Sequence, residues 1–204
     1  MSIKIRREKE KSEMKKNILK AANEIIKEEG IDNLSIRKIA KKIDYSAPIV
    51  YHYFKDKEDI INTIMIRGYQ KIMREIASSQ KNYKNPKENL EKGIRRYIEI
   101  SLESSYEYKS ILLNSSKEIL DYTALLFKGA ASKRQGIAML CNSIKDIFES
   151  EGRDIDDSVI ELKSQIIWVS MFGLIMKLIV ENNINKNQKE RLIDTLIDYA
   201  IKGI

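Results

Sequence analysis

Hydrophobic residues recur along most of the chain at intervals of three and four, and no segment alternates convincingly with a period of two. Intervals of three and four place side chains on one face of an α-helix, whereas alternation is typical of a β-strand. Near the N-terminus such a face is formed by Ile18, Leu19, Ala22, Ile25 and Ile26. The pattern predicts an all-α chain of about nine helices.

Capping residues divide the beginning of the chain into short helices. Gly30 follows the first apolar face and ends that helix, because glycine readily adopts the left-handed conformation of a helix C-terminus. Ser35 is placed to cap a second helix. That helix is short, and its inner face consists of Ile36, Ile39, Ala40 and Ile43.

A third helix follows a tight turn at Asp44 and Tyr45. Ser46 caps it, and Pro48 is tolerated in its first turn. It extends over residues 47 to 54, and Asp56 caps a fourth helix. Two short helices joined by a tight turn, set in a small apolar core, predict a helix-turn-helix.

The remainder of the chain is also predicted to be helical. A fifth helix opens at Pro86 after a break at Lys81–Asn85, and Gly152 precedes a long helix that extends to about Asn182. The other predicted features are helical pieces at Ile111–Tyr122 and Ala124–Glu149, a cap at Asp156 or Asp157 for the long helix, and a cap at Asn187 for the last helix.

Charge is concentrated at the N-terminal end. The chain carries a formal net charge of +7, and a basic N-terminal arm is predicted at Lys4–Lys16. A basic end favours a polyanion as partner, either nucleic acid or anionic lipid. A membrane surface is disfavoured because this segment has almost no apolar face. The apolar run Ile166–Val180 is short and contains Lys177, so it predicts a buried helix of a cytoplasmic protein.

The sequence contains few of the residues and motifs that catalysis commonly uses. One cysteine, Cys141, and one histidine, His52, exclude an internal disulfide and make a metal site built on these residues improbable. We also find no glycine-rich phosphate loop and no H-E-x-x-H motif. We therefore expect no cofactor, no metal and no enzymatic activity.

A family resemblance lies in residues 16–61, which read KNILKAANEIIKEEGIDNLSIRKIAKKIDYSAPIVYHYFKDKEDII. This segment closely resembles the DNA-binding domain of the TetR family of bacterial transcriptional regulators. The matching landmarks are Ala21–Ala22, Gly30, Ile39–Ala40, Ser46, Tyr51, Tyr53–Phe54, Lys57–Glu58 and Ile60. Asp44 stands where the family usually has glycine, and aspartate is among the residues that tolerate positive φ. The turn is therefore expected to form.

The resemblance implies that the third helix lies in the major groove of double-stranded DNA. Tyr51, His52, Tyr53 and Lys57 match positions that contact the DNA backbone in the family. The serines at helix N-termini favour phosphate, and the apolar residues nearest the bases favour an AT-leaning operator. Arg37 is the candidate for a guanine contact. The predicted DNA-binding residues are Ser35, Ile36, Arg37, Ser46, Ala47, Pro48, Ile49, Tyr51, His52, Tyr53 and Lys57.

The resemblance also implies two domains, a helix-turn-helix domain at residues 1–55 and a larger helical domain at 56–204. The larger domain would bind a small-molecule effector and form a homodimer through its last two helices. The candidate pocket residues are Tyr69, Tyr97, Tyr106, Phe127, Met139, Trp168 and Phe172. The candidate dimer residues are Ser170, Gly173, Leu192, Leu196 and Ile197. The sparse acidic residues among the apolar stripes favour a largely apolar effector.

The function predicted from these features is that of a ligand-responsive repressor, released from a palindromic operator by its effector. Repression is the usual mode of the family. An alternative stays open: a DNA-binding regulator without a small-molecule effector, whose larger domain serves only dimerisation or protein contacts. A ligand-free structure without a connected cavity would favour that alternative.

Overall fold

The structure of the protein is a computed structural model that describes residues 3–79, 85–113 and 116–204, with side chains described for all of these except 3, 4, 79, 106 and 107. Within these ranges the chain forms ten α-helices and two short 3-10 helices, with no strand, which confirms the all-α prediction. Internal contacts divide the chain into two compact units, one up to Arg67 and one from Gly68 onward.

The smaller unit contains α1 (Ile3–Glu29), α2 (Ile36–Lys42), α3 (Ala47–Tyr53) and the first half of α4 (Lys57–Ser79). Each helix contributes at least one side chain that is fully excluded from solvent, namely Ile18, Ile39, Val50 and Ile60. Burial of an aliphatic side chain of this size stabilises a fold by about 1.5–3 kcal/mol. This small core fixes the short helices α2 and α3 against α1.

The basic N-terminal segment is helical and forms the beginning of α1. Its side chains from residue 5 to residue 13 are exposed, and Arg6 forms an ion pair with Glu10 one turn later, with 2.9 Å between Nε and Oε1. Lysine, arginine and glutamate have high helix propensity, and pairs four residues apart add to it. The segment predicted as an arm is therefore a continuation of α1.

The larger unit contains the second half of α4 and six further helices. These are α5 (Pro86–Glu103), α6 (Ser105–Leu112), α7 (Lys117–Thr123), α8 (Gln135–Ser150), α9 (Asp157–Val180) and α10 (Lys186–Lys202). The helices α5, α8 and α9 pack against one another, and α10 packs against α5 and α9. The predicted boundary after residue 55 falls just before α4, whereas the two compact units divide inside that helix.

Several helices begin or end at the residues that the sequence predicted. Pro86 opens α5, and Gly152 follows α8 with φ +65°, as expected of a glycine at a helix C-terminus. Asp156 caps α9, because its Oδ1 accepts a hydrogen bond of 2.7 Å from the N–H of Ser158. The predicted break at Lys81–Asn85 lies mostly outside the described residues; Asn85 itself is the cap of α5.

The helical piece predicted at Ala124–Glu149 is confirmed from residue 135 onward, where α8 begins, and is wrong before it. Residues 124–134 form a loop with a short 3-10 turn, and Gly129 in this loop has φ +83°. The carboxylate of Glu161 on α9 accepts hydrogen bonds from the N–H groups of Gly129 and Ala131, at 2.7 and 2.9 Å. This tertiary contact holds the loop out of a helix that its local sequence would permit.

Two further helix boundaries differ from the predictions. The piece predicted at Ile111–Tyr122 is divided between α6 and α7. The predicted cap at Asn187 is wrong, because Asn185 caps α10 and its Oδ1 accepts from the N–H of Gln188 at 2.8 Å. Both asparagines precede the same apolar stripe, so local sequence does not distinguish them.

Helix α9 has apolar residues on both its buried and its exposed face, although it also carries Glu161, Lys163 and Lys177. It is the one described helix that is long and apolar enough to span a membrane, a test that core helices of soluble proteins also pass. One face, with Ile160 and Ile175, is buried against α5, α8 and α10. The other face exposes Leu162 and Ile166. Such a helix needs cover on both faces, which the single chain does not provide.

Candidate nucleic-acid interface

The turn between α2 and α3 is closed by hydrogen bonds at the end of α2. The N–H of Tyr45 donates to the carbonyl of Ala40 at 2.9 Å, and the N–H of Asp44 donates to that of Lys41 at 3.3 Å. These two bonds form a Schellman motif, in which the residue after the helix adopts a left-handed conformation. Asp44 has φ 59°, as predicted for this position. Aspartate thus fulfils the role that glycine usually has here.

The serines at the starts of α2 and α3 are used differently. Ser35 caps α2, and its Oγ accepts a hydrogen bond of 3.3 Å from the N–H of Lys38. Ser46 precedes α3 without a side-chain capping bond, and it is exposed. Its hydroxyl can therefore donate to a phosphate oxygen beside the free N–H groups of the helix N-terminus.

Helix α3 has one face in the core and one face toward solvent. Val50 and Phe54, four residues apart, are buried, whereas Ile49 and Tyr51 are 38% and 56% exposed. Pro48 and His52 are also exposed, and Ala47 and Tyr53 are half-buried. The rings of His52 and Tyr53 meet edge to face, with 5.2 Å between their centres. The structure therefore exposes Pro48, Ile49, Tyr51 and His52, whereas Ala47 and Tyr53 also pack against the apolar core.

Arg37 and Lys41 are the exposed cations of α2 that form no ion pair with α1 among the described residues. Lys38 pairs with Glu29, and Lys42 lies within 4 Å of Glu24 and Glu28, whose hydrogen bonds raise the pKa of Lys42. Among the described residues Arg37 has no ion-pair partner, which leaves its guanidinium available to a ligand. Ile36 lies in the apolar core, so only its backbone can face a nucleic acid.

Lys57 begins α4, at a helix start fixed by two reciprocal hydrogen bonds. The N–H of Asp59 donates to Oδ1 of Asp56 at 2.8 Å, and the N–H of Lys55 donates to Oδ2 of Asp59 at 3.0 Å. This arrangement resembles a capping box, except that the carboxylate of Asp59 accepts from Lys55, the residue before the N-cap. It satisfies two backbone donors and holds the half-buried Lys57 in the first turn.

In the larger unit, three of the predicted pocket residues line one small cavity. Tyr97, Met139 and Trp168 surround a volume of about 30 Å³, and Tyr69 lines a second cavity of about 10 Å³ together with Tyr97. Phe172 is half-buried and lies 6.4 Å from the ring of Tyr108, whereas Phe127 packs under the guanidinium of Arg134 in the loop before α8. The side chain of Tyr106 lies outside the described residues.

Sequence reasoning missed Tyr108, whose hydroxyl lies 2.9 Å from that of Tyr97. It also missed Met73, which lines both cavities. No local signal distinguishes these residues from ordinary core positions, because they meet Tyr97 only through packing of separate helices.

The predicted dimer residues divide into exposed and buried positions. Ser170 and Gly173 are exposed on α9, and Leu192 and Leu196 are half-buried on α10. Ile197 is buried within the chain. Ser170 and Leu196 line an open groove of about 440 Å³, together with Leu162, Ile166 and Tyr199, which the prediction omitted. The interval of four between Leu162 and Ile166, on a helix already apolar on its other face, is the signal that could have found them.

Known proteins match the chain at the helix-turn-helix and along its length. Residues 18–64 match the family model of bacterial regulatory proteins, tetR family. YobS, an uncharacterized HTH-type transcriptional regulator of Bacillus subtilis (strain 168), is 23% identical over 177 residues, which cover 79% of this chain and 92% of YobS. YuxN, another of the same strain, is 24% identical over 193 residues, 94% of this chain and 64% of YuxN.

Solved structures share the fold at lower identity. The fatty acid degradation regulator FadR from Bacillus halodurans has a TM-score of 0.67 and 16% identity, with 93% of this chain and 95% of that chain covered. FadR from Bacillus subtilis, solved in complex with stearoyl-CoA, has a TM-score of 0.67 and 18% identity, with 92% and 98% covered.

The helix-turn-helix and its matches define the class of this protein as a DNA-binding transcriptional regulator. Residues 18–64 thus form a DNA-binding domain of the TetR family, and a larger C-terminal helical domain follows, as in the solved structures with the same fold.

Proposed function

We propose that this regulator binds a palindromic operator as a homodimer and represses transcription in the cytoplasm until a small, largely apolar effector releases it. The observation that carries the proposal is the outward surface of α3. Its apolar residues, Ala47, Pro48 and Ile49, lie between the hydroxyl of Ser46 and the donors of Tyr51 and His52. On such a surface the apolar residues can contact thymine methyl groups in the major groove, and the hydroxyl and ring N–H donors on either side can bind phosphates.

Positive residues around α3 support binding to the DNA backbone. Lys57 is held at the start of α4, and Arg37 is exposed at the start of α2. The exposed N-terminal turns of α1 add Arg7 and Lys11. Contacts to phosphate fix the orientation of a protein on the duplex and dominate its affinity, whereas Arg37 would read guanine.

The exposed apolar face of α9 supports the homodimer. Leu162, Ile166 and Tyr199 are 62%, 68% and 73% exposed and line one groove between α9 and α10. An isologous contact through this groove would pair α9 and α10 with the same helices of a second copy. Two copies related in this way present two copies of α3, as a palindromic operator requires.

The interior of the larger unit supports an apolar effector. The cavities around Tyr97 are lined by apolar and aromatic side chains, and the structural neighbour FadR of Bacillus subtilis binds stearoyl-CoA. Met73 on the cavity wall and Lys57 belong to the same helix, α4. An effector that binds more tightly to a DNA-incompetent arrangement of α4 would shift the population away from the bound state.

A second candidate is a regulator without a small-molecule effector. The small size of the cavities favours it, because about 30 Å³ holds little more than one water molecule. In that case the larger unit would serve dimerisation or protein contacts only.

Selection of bound sequences from random duplex DNA by the purified protein tests the proposal. Enrichment of a palindrome at near-physiological salt is the expected result. Binding without enrichment, weakened uniformly by salt, would contradict a specific operator. Loss of binding to the enriched palindrome when a cell metabolite extract is added would favour the effector-controlled form over the second candidate.

A further inference from the structure

Two small cavities of the larger unit share lining residues. The cavity of about 30 Å³ lies between α4, α5, α8 and α9, and the cavity of about 10 Å³ lies between α4, α5 and α6. Met73 and Tyr97 line both of them. These two side chains therefore separate two volumes that would be continuous if one of them moved.

Met73 is the side chain better suited to move. Methionine is unbranched and flexible, and it fills irregular gaps without a strong rotamer preference. Met139 and Met171 line the larger cavity as well. A wall with three methionines can yield to a ligand by changes of side-chain rotamer, while the helices around it stay folded.

The lining has a definite chemical character. No residue that lines either cavity carries a formal charge. A charged ligand would therefore be buried without a partner, which costs several kcal/mol or more. Apolar and aromatic groups make up nearly all of the lining, so a ligand would be apolar over most of its surface.

The polar feature at the junction is the pair of Tyr97 and Tyr108. Their hydroxyl oxygens lie 2.9 Å apart, and both residues are buried. Burial raises the pKa of both hydroxyls above the ordinary value, so both stay neutral and protonated. Two phenol groups have two protons and several lone pairs, and the bond between them uses one proton. The pair therefore has capacity to bind one further neutral polar group.

We propose that the effector is an uncharged, mainly apolar molecule with one hydroxyl or carbonyl group, and that Tyr97 and Tyr108 bind this group when Met73 moves and the two cavities merge. The proposal rests on the proposed function, because it names the ligand class of an effector-controlled regulator. It differs from a site for a carboxylate or a nucleotide, which would require a cation in the lining.

The chain offers its own reporter for a test. Trp168 is the single tryptophan, lines the larger cavity and lies 4.9 Å from the ring of Tyr97 between ring centres. A ligand in the merged cavity would change the fluorescence of this indole directly. The probes are four molecules with the same five-carbon chain: pentane, pentan-1-ol, pentanoate and pentylammonium, each titrated below its solubility limit at pH 7.

We expect pentan-1-ol to change the fluorescence of Trp168 and to raise Tm, with an affinity about tenfold above that of pentane, as one buried hydrogen bond provides. Pentanoate and pentylammonium should bind more weakly than the alcohol. Tyr108→Phe should abolish the preference for the alcohol over pentane, whereas the matched change Tyr122→Phe, at an exposed tyrosine of α7, should leave it unchanged.

Three outcomes would overturn the proposal: stronger binding of either charged probe, an unchanged preference in Tyr108→Phe, or no binding of any probe by protein that selects a palindrome. The wild-type titrations already decide the ligand class, so the proposal stays falsifiable if Tyr108→Phe fails to fold. Failure of the proposed function would appear separately, as the absence of sequence-specific DNA binding whatever the probes do.

Discussion

The ammonium group of Lys15 on α1 lies 5.5 Å from the centre of the ring of Phe54, the residue that ends α3. This contact identifies the side of α1 that faces the helix-turn-helix. Lys11 and Arg7 lie one and two turns before Lys15 and, at four-residue intervals, are on the same side of the helix. The side of α1 that packs on the helix-turn-helix at Lys15 therefore carries positive side chains, Lys11 and Arg7, in the exposed turns before it.

We predict that Arg7→Ala/Lys11→Ala weakens binding to operator DNA and reduces the slope of log affinity against log salt by about 2, since each lost phosphate contact contributes about 0.9. Titrations of labelled duplex at several salt concentrations measure this slope. Lys9→Ala/Lys16→Ala removes the same charge from the opposite side of α1 and is the matched control. Equal losses in both variants would show a diffuse charge effect instead of a contact surface.

Lys57 is predicted to bind phosphate from the first turn of α4. Lys57→Ala should weaken binding to all duplexes alike, because a phosphate contact carries no sequence information, and the salt slope should fall by about 1. The same titrations on specific and scrambled duplexes measure both effects. Lys186→Ala, at the first residue of α10, is the control for loss of a helix-start lysine. An unchanged slope in Lys57→Ala would contradict the assignment.

The turn between α2 and α3 makes a prediction about stability. Asp44 has φ 59°, a conformation that glycine adopts without strain and alanine adopts poorly. Asp44→Gly should keep or raise the free energy of unfolding by up to about 1 kcal/mol, and Asp44→Ala should lower it by about 1 kcal/mol. Urea denaturation of the three proteins compares them. An alanine variant as stable as the glycine variant would rule out backbone strain at this residue.

The exposed face of α9 makes a prediction about assembly. Ile166→Asp places a charge at the centre of the proposed dimer contact, so sedimentation should report a monomer where the wild type is a dimer. Leu126→Asp introduces the same charge at an exposed leucine in the loop before α8, and it should leave the dimer intact. A dimeric Ile166→Asp variant would place the interface elsewhere.

Local sequence was enough to predict the small unit closely. The caps at Ser35 and Asp56 and the positive φ of Asp44 depend on neighbours within a few residues, and all three are found in the structure. Ser46 occupies the predicted position before α3 but makes no side-chain capping bond. The loop at Gly129 was missed because the carboxylate that holds it belongs to Glu161, on α9. Contacts of this kind depend on tertiary packing, which helical periodicity does not encode.

For the candidate sites too, local sequence predicted what depends on neighbouring residues and missed what depends on the packing of separate helices. The outward residues of α3 follow from the spacing of Val50 and Phe54, since a helix that buries these two must expose the residues between them. The pair of Tyr97 and Tyr108 joins α5 to α6, and Met73 reaches the same place from α4. Only the packing of separate helices brings these three side chains together, so the sequence predicted Tyr97 and missed its partners.

The most direct test of the central claim is the ratio of dissociation constants for the selected palindrome and a scrambled duplex, measured for the wild type and for Ile49→Asp. If α3 reads the bases, the wild-type ratio should be about 10³ or more, and Ile49→Asp should lose most of it, because a carboxylate there repels the duplex and removes an apolar contact. Leu126→Asp should keep the wild-type ratio. A ratio near one in the wild type, or an undiminished ratio in Ile49→Asp, would contradict recognition through α3.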